Sequence, residues 1–127
     1  MTRALRHGFP EIPIMRAIPV IDEVSIEIAH SYRGVADFLL LDSYDPDTRQ
    51  FGALGRAHDW SISRRIVDNV GIPVILAGGI GPENVAKAII AVRPAGVDSK
   101  TKTDRADGTG KDLARVREFV TAARLTR

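Results

Sequence analysis

The chain has 127 residues, enough for one domain with its own core, and its 18 Lys and Arg against 16 Asp and Glu give a net charge of +2. Such a small excess of scattered basic residues, with few aromatics among them, does not predict nucleic-acid binding. The absence of cysteine excludes disulfides, thiolate metal sites and a cysteine nucleophile in this chain, and it is typical of a cytoplasmic protein. No apolar run approaches the roughly 20 residues of a membrane span, and the first residues lack the apolar core of a signal peptide.

Strands and helices alternate after residues 1–11, whose weak patterning predicts a partly disordered tail. The predicted strands are short segments, and that at 74–77 is an apolar run without polar alternation, as in a buried parallel strand: 14–20, 36–42, 74–77 and 96–99. The predicted helices carry apolar residues at helical spacing: 23–32, 60–70, 82–92 and 111–125. Asp22 could cap the first of these helices, and Asp59 or Ser61 the second.

The connection from residue 43 to residue 57 contains Pro46, Gly52 and Gly55, and a loop of this length between regular elements is often functional. Aspartates on either side of Pro46 are typical of a turn rather than a metal site, and we expect neither a metal nor a cofactor. His58 follows this loop as a candidate acid or base, although a lone loop histidine is more often inert.

A buried strand directly precedes Gly78 and Gly79. Glycines here allow the backbone to turn sharply and a ligand to approach closely. Pro82 and Glu83 favour a helix start immediately afterwards, and free N–H groups at a helix start bind anions. The stretch predicts either a phosphate site or a strand-to-helix turn that needs glycine only for its own geometry.

The order of predicted elements is β-α-β-α-β-α-β-α, which indicates an α/β protein with a parallel sheet and right-handed crossovers. Two architectures are compatible with this order, an open doubly wound sheet and part of a (β/α)8 barrel. Four such units make half of a barrel, whereas a complete one usually needs about 200–250 residues.

Short motifs extend in a fixed order from Pro13 to Phe119. They are Leu40-Leu41-Asp42, Gly52-Ala53-Leu54-Gly55, Asp59-Trp60, Leu76-Ala77-Gly78-Gly79-Ile80, Pro82-Glu83-Asn84-Val85, Gly96-Val97-Asp98, and Gly108 followed by Lys111-Asp112. In order and spacing, the set resembles the second half of phosphoribosylanthranilate isomerase, a (β/α)8-barrel enzyme of tryptophan biosynthesis. The resemblance implies that residues 1–127 form a single domain, a parallel (β/α)4 half-barrel equivalent to barrel strands five to eight.

The family converts an aminoaldose phosphate to an aminoketose phosphate in an Amadori rearrangement. By resemblance, Asp42 is the general acid at the end of the sixth strand, and a raised pKa would suit that role. The resemblance also implies a phosphate site after the seventh and eighth strands and a substrate loop before the third predicted helix. The phosphate-site residues are Gly78, Gly79, Ser99, Lys100, Thr101 and Lys102, and the loop residues are Gly52, Gly55 and His58. Asp98, in the eighth strand, is expected to be buried and structural.

Three departures from the family pattern bear on activity. The family's general base is a cysteine at the end of strand one, and this chain has neither the cysteine nor that strand. Ala53 and Leu54 replace the Gly-Thr of the substrate loop, which restricts the backbone and removes a hydroxyl. Lys102 replaces a glycine after the eighth strand, and its charge could attract a phosphate or could simply be solvated.

A half-barrel leaves two sheet edges and an apolar face without a partner, and such surfaces favour association. We therefore expect a homodimer, or pairing with a separate N-terminal half-barrel chain; a truncated piece of a longer enzyme is the other explanation. Two functions remain open. One is an isomerase that acts on a phosphorylated sugar-amine ligand but is incomplete as an isolated chain. The other is a non-catalytic phosphate-ligand-binding or assembly module.

Overall fold

The computed structural model of the chain describes residues 1–52 and 57–126. The strands are β1 (Met15–Val20), β2 (Phe38–Asp45), β3 (Gln50–Phe51), β4 (Val74–Leu76) and β5 (Gly96–Val97). The α-helices are α1 (Thr2–Gly8), α2 (Val24–Ser31), α3 (Trp60–Val70), α4 (Val85–Val92) and α5 (Leu113–Leu125), and a 3₁₀ turn covers Thr101–Thr103. Parallel pairing joins the strands in the order β1-β2-β4-β5, while β3 pairs with β2 antiparallel. The predicted α/β class with a parallel sheet is confirmed.

One face of the sheet carries the core. Ile18, Leu41 and Leu76 point to this face and are at most 1% exposed. They pack with the apolar stripes of the helices, which include Ala29 of α2, Ile66 of α3 and Ala88 of α4. The stripe predicted for α3 is formed by Ile62, Ile66 and Val70 as buried residues, with Val67 packed beside them.

The opposite face of the sheet is less covered, and we call it the open face: Met15, Ala17, Phe38, Leu40 and Ile75. These residues share a face because side chains alternate along a strand and the register aligns them across β1, β2 and β4. Met15 is 54% exposed and Phe38 is 38% exposed. Large apolar side chains on this face are therefore left in solvent by the chain alone.

Several elements differ from the sequence expectation. Residues 2–8, expected in a partly disordered tail, form α1, whose Arg6 forms an ion pair with Asp37 and donates from Nε to the Val35 carbonyl (3.0 Å). The segment expected to be a loop from residue 43 begins as a continuation of β2, which turns back through β3. These contacts are tertiary and leave no periodic pattern in the sequence.

The helices near the end of the chain begin later than predicted. Residues 82–84 form a turn, and α4 begins at Val85; α5 begins at Leu113, after Asp112 caps its first turn by accepting from the N–H groups of Ala114 and Arg115. Leu113, one of the apolar residues at helical spacing in the predicted helix 111–125, is 72% exposed, and no residue of α5 is fully buried. Among the described residues, no helix is both long and apolar enough to cross a membrane.

Candidate active site at the carboxyl end of the sheet

The carboxyl ends of the parallel strands bring Asp42, the turn after β4 and the loop after β5 to one edge of the sheet. Leu41 pairs with Leu76, and the Ala77 N–H donates to the Leu41 carbonyl (2.7 Å). Asp42 therefore lies just beyond this pairing, beside the turn that begins at Gly78. The Asp98 N–H donates to the Leu76 carbonyl (2.9 Å), which places the start of the next loop on the other side.

The carboxyl group of Asp42 lies in a partly dehydrated position. Burial raises its pKa, and repulsion from the Asp98 carboxylate adds to this, while a hydrogen bond from the Ser43 N–H to Oδ1 (2.7 Å) acts in the opposite direction. Gly52 packs directly against the group, since a Cβ at that position would lie 2.6 Å from Oδ2. A carboxyl group held in this way is suited to carry a proton into a reaction.

Asp98 differs from the expectation of a buried structural residue. It is exposed, one residue beyond the end of β5, where the chain has already left the sheet. Its effect on the site is electrostatic, because its charge opposes ionisation of Asp42. The short β5, which ends at Val97 rather than at residue 99, explains why the burial of this side chain was overestimated.

The turn after β4 depends on two glycines in the left-handed region. Gly78 has φ +90° and Gly79 has φ +65°, values that L side chains rarely adopt. The Asn84 side chain stabilises the turn with two hydrogen bonds to its backbone. Its amide donates to the Gly79 carbonyl (2.9 Å), and its Oδ1 accepts from the Gly81 N–H (2.8 Å). The side chain thus replaces part of the helix start that the sequence predicts at Pro82.

The loop after β5 is fastened to this turn. Ser99 donates its hydroxyl to the Ile80 carbonyl (2.6 Å), and a Cβ at Gly81 would lie 2.5 Å from the Cβ of Lys102. Arg115 of α5 secures both segments, donating to the Lys102 carbonyl (2.7 Å) and forming an ion pair with Glu83 (2.6 Å). The structure therefore brings Ser99 and Lys102 to the glycine turn.

Lys100 and Thr101 lie exposed at the start of the 3₁₀ turn. The Lys100 carbonyl accepts from Lys111 Nζ (2.5 Å), and Lys111 also forms an ion pair with Asp104 (2.6 Å). These contacts hold the backbone of the loop. For the side chains of Lys100 and Thr101, a place in the phosphate site stays a prediction.

His58 lies between β2, α3 and the glycine turn. Its Nε2 shares a hydrogen bond with Ser63 Oγ (2.6 Å), and its Nδ1 lies 3.4 Å from Ser43 Oγ. A Cβ at Gly78 would lie 3.0 Å from the same Nδ1. Burial lowers the pKa of His58 to about 4, despite the nearby Asp59 carboxylate, so the ring is neutral at physiological pH.

Three of the loop residues considered from the sequence are not described by the structure, and three residues of the site were not predicted. Gly55, with Ala53 and Leu54, falls outside the described residues. Sequence reasoning missed the positional importance of Ser43, Ser63 and Asn84 in the site. Ser63 occupies the helical face of Ile62 and Ile66, so its position in the apolar stripe was the available signal. In residues 1–52 and 57–126, no group of three or more acidic or histidine side chains is placed to hold a metal ion.

Comparison with known proteins shows the family to which the chain is related. A model of the N-(5'-phosphoribosyl)anthranilate (PRA) isomerase family matches residues 2–122. The chain is 43% identical over 118 residues to the N-(5'-phosphoribosyl)anthranilate isomerase of Methanocella arvoryzae, covering 93% of this chain and 54% of the relative.

Solved structures with the same fold come from this family as well. A structure of monomers made from the dimeric phosphoribosylanthranilate isomerase of Thermotoga maritima matches with a TM-score of 0.78 at 28% identity, over 98% of this chain and 56% of that one. A phosphoribosylanthranilate isomerase in complex with reduced 1-(o-carboxyphenylamino)-1-deoxyribulose 5-phosphate matches with a TM-score of 0.72 at 29% identity, over 94% and 52%. The chain thus spans about half the length of the relatives it matches, and it belongs to the phosphoribosylanthranilate isomerase family.

Proposed function

We propose that this chain carries the acid and phosphate-binding half of a phosphoribosylanthranilate isomerase, which converts an aminoaldose phosphate to an aminoketose phosphate in tryptophan biosynthesis. The observation that supports this most directly is the position of Asp42. Its raised pKa and its place beside the glycine turn put an acid next to a candidate anion site. The relative solved with a phosphorylated aminoketose analogue supports the same substrate class.

Asp42 acts as the general acid in this proposal. Opening of the sugar ring places negative charge on the ring oxygen, and a protonated carboxyl within hydrogen-bond reach can transfer its proton there as the bond breaks. Burial and the Asp98 carboxylate both favour the protonated form. Gly52, packed against the carboxyl group, limits access of water to it.

The substrate phosphate binds at Gly78, Gly79 and the loop after β5 in this proposal. Backbone N–H groups of a glycine turn can approach a phosphate closely, and barrels commonly bind phosphate after their last two strands. Lys102, exposed beside Gly81, adds a positive charge at the mouth of this site. Ser99, Lys100 and Thr101 complete the set, and Gly52, Gly55 and His58 are the proposed substrate-loop residues.

The general base comes from outside the chain, because this sequence has no cysteine. We propose that the fold is a (β/α)4 half-barrel, residues 1–127 forming one domain, whose open face and unpaired β1 and β5 edges meet either a second copy or a separate N-terminal half. Apolar Met15 and Phe38 in solvent support such pairing. Only a partner that carries the base would complete the isomerase.

The first test is calorimetric titration with reduced 1-(o-carboxyphenylamino)-1-deoxyribulose 5-phosphate. We expect saturable binding by the wild-type chain and none by Gly79→Asp, because the new carboxylate repels the phosphate and blocks the turn. Gly34→Asp is the matched control: Gly34 also has positive φ, but it precedes β2 at the other end of the sheet and has no atom within 4 Å of an added Cβ. Equal binding by both variants would contradict the phosphate site.

The alternative function, a non-catalytic phosphate-ligand-binding or assembly module, is favoured by the missing cysteine. Adding the N-terminal half of a family member separates the two. Turnover that appears with the added half and disappears in Asp42→Asn supports the isomerase. Ligand binding without turnover in the reconstituted pair supports the module.

A further inference from the structure

The partly buried imidazole of His58 lies in contact with three elements of the site. Its two ring nitrogens face Ser63 Oγ of α3 and Ser43 Oγ of β2, at 2.6 Å and 3.4 Å. Ser63 is fully buried and Ser43 is 3% exposed, so both hydroxyls that face the ring are shielded from bulk water. The ring also limits the space beside Gly78.

Ser43 lies in contact with the His58 ring, with the carboxyl group of Asp42 and with the Gly78–Gly79 turn. Its N–H donates to Asp42 Oδ1 (2.7 Å), and the same nitrogen would lie 3.0 Å from a Cβ at Gly78. A shift of Ser43 therefore changes both the hydrogen bonding of the carboxyl group and the packing of the glycine turn. A neutral imidazole has one donor and one acceptor nitrogen, so it can serve two hydroxyls with opposite roles.

We propose that His58 is a positioning residue, which holds Ser43 so that the carboxyl group of Asp42 and the Gly78–Gly79 turn keep a fixed spacing. This inference rests on the proposed function for its purpose, since the spacing matters if Asp42 and the turn bind one substrate. It differs from the acid or base role considered for a histidine in the substrate loop. Both nitrogens of the ring are directed to buried hydroxyls, and a pKa near 4 leaves it neutral and a weak base at neutral pH.

Three variants of the full chain test this role. His58→Phe keeps a flat ring but removes both hydrogen-bonding nitrogens, His58→Gln keeps a donor and an acceptor, and His30→Phe makes the same replacement at an exposed histidine of α2. For each, we would measure the pKa of the Asp42 carboxyl group by ¹³C NMR without ligand, and the affinity for inorganic phosphate by calorimetry. Circular dichroism and thermal unfolding identify variants that fail to fold.

In folded His58→Phe, we expect the pKa of Asp42 to rise, because loss of the contact with Ser43 Oγ lets Ser43 shift and weakens the hydrogen bond from its N–H, which lowers that pKa. Phosphate affinity should fall about tenfold, the effect of roughly one lost hydrogen bond at the site. His58→Gln should stay within about threefold of the wild type, and His30→Phe should equal it. If His58→Phe does not fold, the comparison of His58→Gln with an apolar His58→Leu replaces it.

The two readouts separate failure of this inference from failure of the proposed function. An unchanged Asp42 pKa in every folded His58 variant overturns the positioning role, whether or not phosphate binds. Absence of phosphate binding by the wild type, together with a raised Asp42 pKa in His58→Phe, supports the positioning role and contradicts the proposed phosphate site. Equal losses of phosphate affinity in His58→Phe and His58→Gln also overturn the positioning role, because the hydrogen-bonding groups of the side chain would then make no difference.

Discussion

Gly78 lies so close to Ser43 and His58 that its position admits no side chain. A Cβ there would lie 3.0 Å from both the Ser43 nitrogen and His58 Nδ1, and φ is +90°. At the scale of single residues, two separate restrictions therefore act on this glycine, one on the backbone conformation and one on space. The sequence could indicate the first from the Gly-Gly pair, but the second depends on residues that are distant along the chain.

We expect Gly78→Ala to destabilise the fold more than the matched change Gly34→Ala. At Gly34, which also has positive φ but no atom near an added Cβ, only the conformational cost of about 1–2 kcal/mol applies. At Gly78, crowding against Ser43 and His58 adds about 1–3 kcal/mol. Urea unfolding of both variants measures the difference, and equal midpoints would contradict the close approach.

His58 gives the stability of the protein a pH dependence. Burial lowers its pKa from 6.5 to about 4, so the unfolded chain binds more protons between these values. Stability from the neutral ring is complete above about pH 6.5 and is lost as the pH falls towards 4. At about 1.4 kcal/mol per unit, the full effect is roughly 3 kcal/mol.

The corresponding measurement is the free energy of unfolding between pH 4 and pH 6.5. The wild type should lose stability as the pH falls through this range, and His58→Phe should lose less because it has no imidazole to protonate. His30→Phe, with an exposed position, should follow the wild type. Parallel curves for the wild type and His58→Phe would show that His58 is not held neutral by the fold.

At the scale of elements, Asn84 shows how the turn after β4 departs from a simple helix start. The sequence predicts a helix from Pro82, whereas the chain forms a turn closed by the Asn84 side chain before α4 begins. Helix propensity and capping preferences identified the right segment. They could not show that an asparagine would bond two backbone groups N-terminal to itself, since this requires the positive φ of Gly79.

Asn84→Ala should cost roughly 2 kcal/mol, because two hydrogen bonds of about 1 kcal/mol each are lost. Asn84→Asp retains an acceptor for the Gly81 N–H, but it turns a carboxylate oxygen towards the Gly79 carbonyl, so it should cost at least the roughly 1 kcal/mol of one lost hydrogen bond. Denaturant unfolding measures the free energy of unfolding of each variant, and both should be less stable than the wild type. An alanine variant as stable as the wild type would mean that solvent replaces both bonds without loss.

The other elements divide according to the range of their interactions. All four predicted strands occur, three of them on mainly apolar segments and the fourth as the two residues Gly96–Val97. The sequence did not predict α1 and β3. Helix α1 is attached by the ion pair between Arg6 and Asp37, and β3 forms because it pairs with the extended end of β2. Both depend on tertiary partners rather than on their own periodicity.

At the scale of the whole molecule, the open face supports association of the proposed half-barrel. Met15 and Phe38 lie opposite each other in β1 and β2 and remain in solvent. The sequence predicted the sheet that creates this face, since strand alternation and order determine it. The identity of the partner that covers the open face could not be predicted, because it depends on the surface of that partner.

We expect the wild-type chain to sediment as a dimer at micromolar concentration. Phe38→Asp should shift it to monomer, because pairing would bury the new charge. Ile90→Asp is the matched control, since Ile90 is 65% exposed on α4, away from the open face, and its replacement should leave the dimer intact. Analytical ultracentrifugation distinguishes the species, and a monodisperse wild-type monomer would contradict self-pairing.

The order of the parallel strands in the sheet is their order along the chain. Each parallel pairing therefore joins two strands that are separated by one crossover connection, and no strand pairs with one that is synthesised much later. Each pairing joins the nearest parallel neighbours that the chain offers, although parallel pairing is slower than helix or hairpin formation because a whole crossover must first close. Once β1, α2 and β2 have left the ribosome, the first pair of parallel strands can form, so the sheet can grow as the chain is synthesised. Assembly with a partner can then follow as a separate, concentration-dependent step.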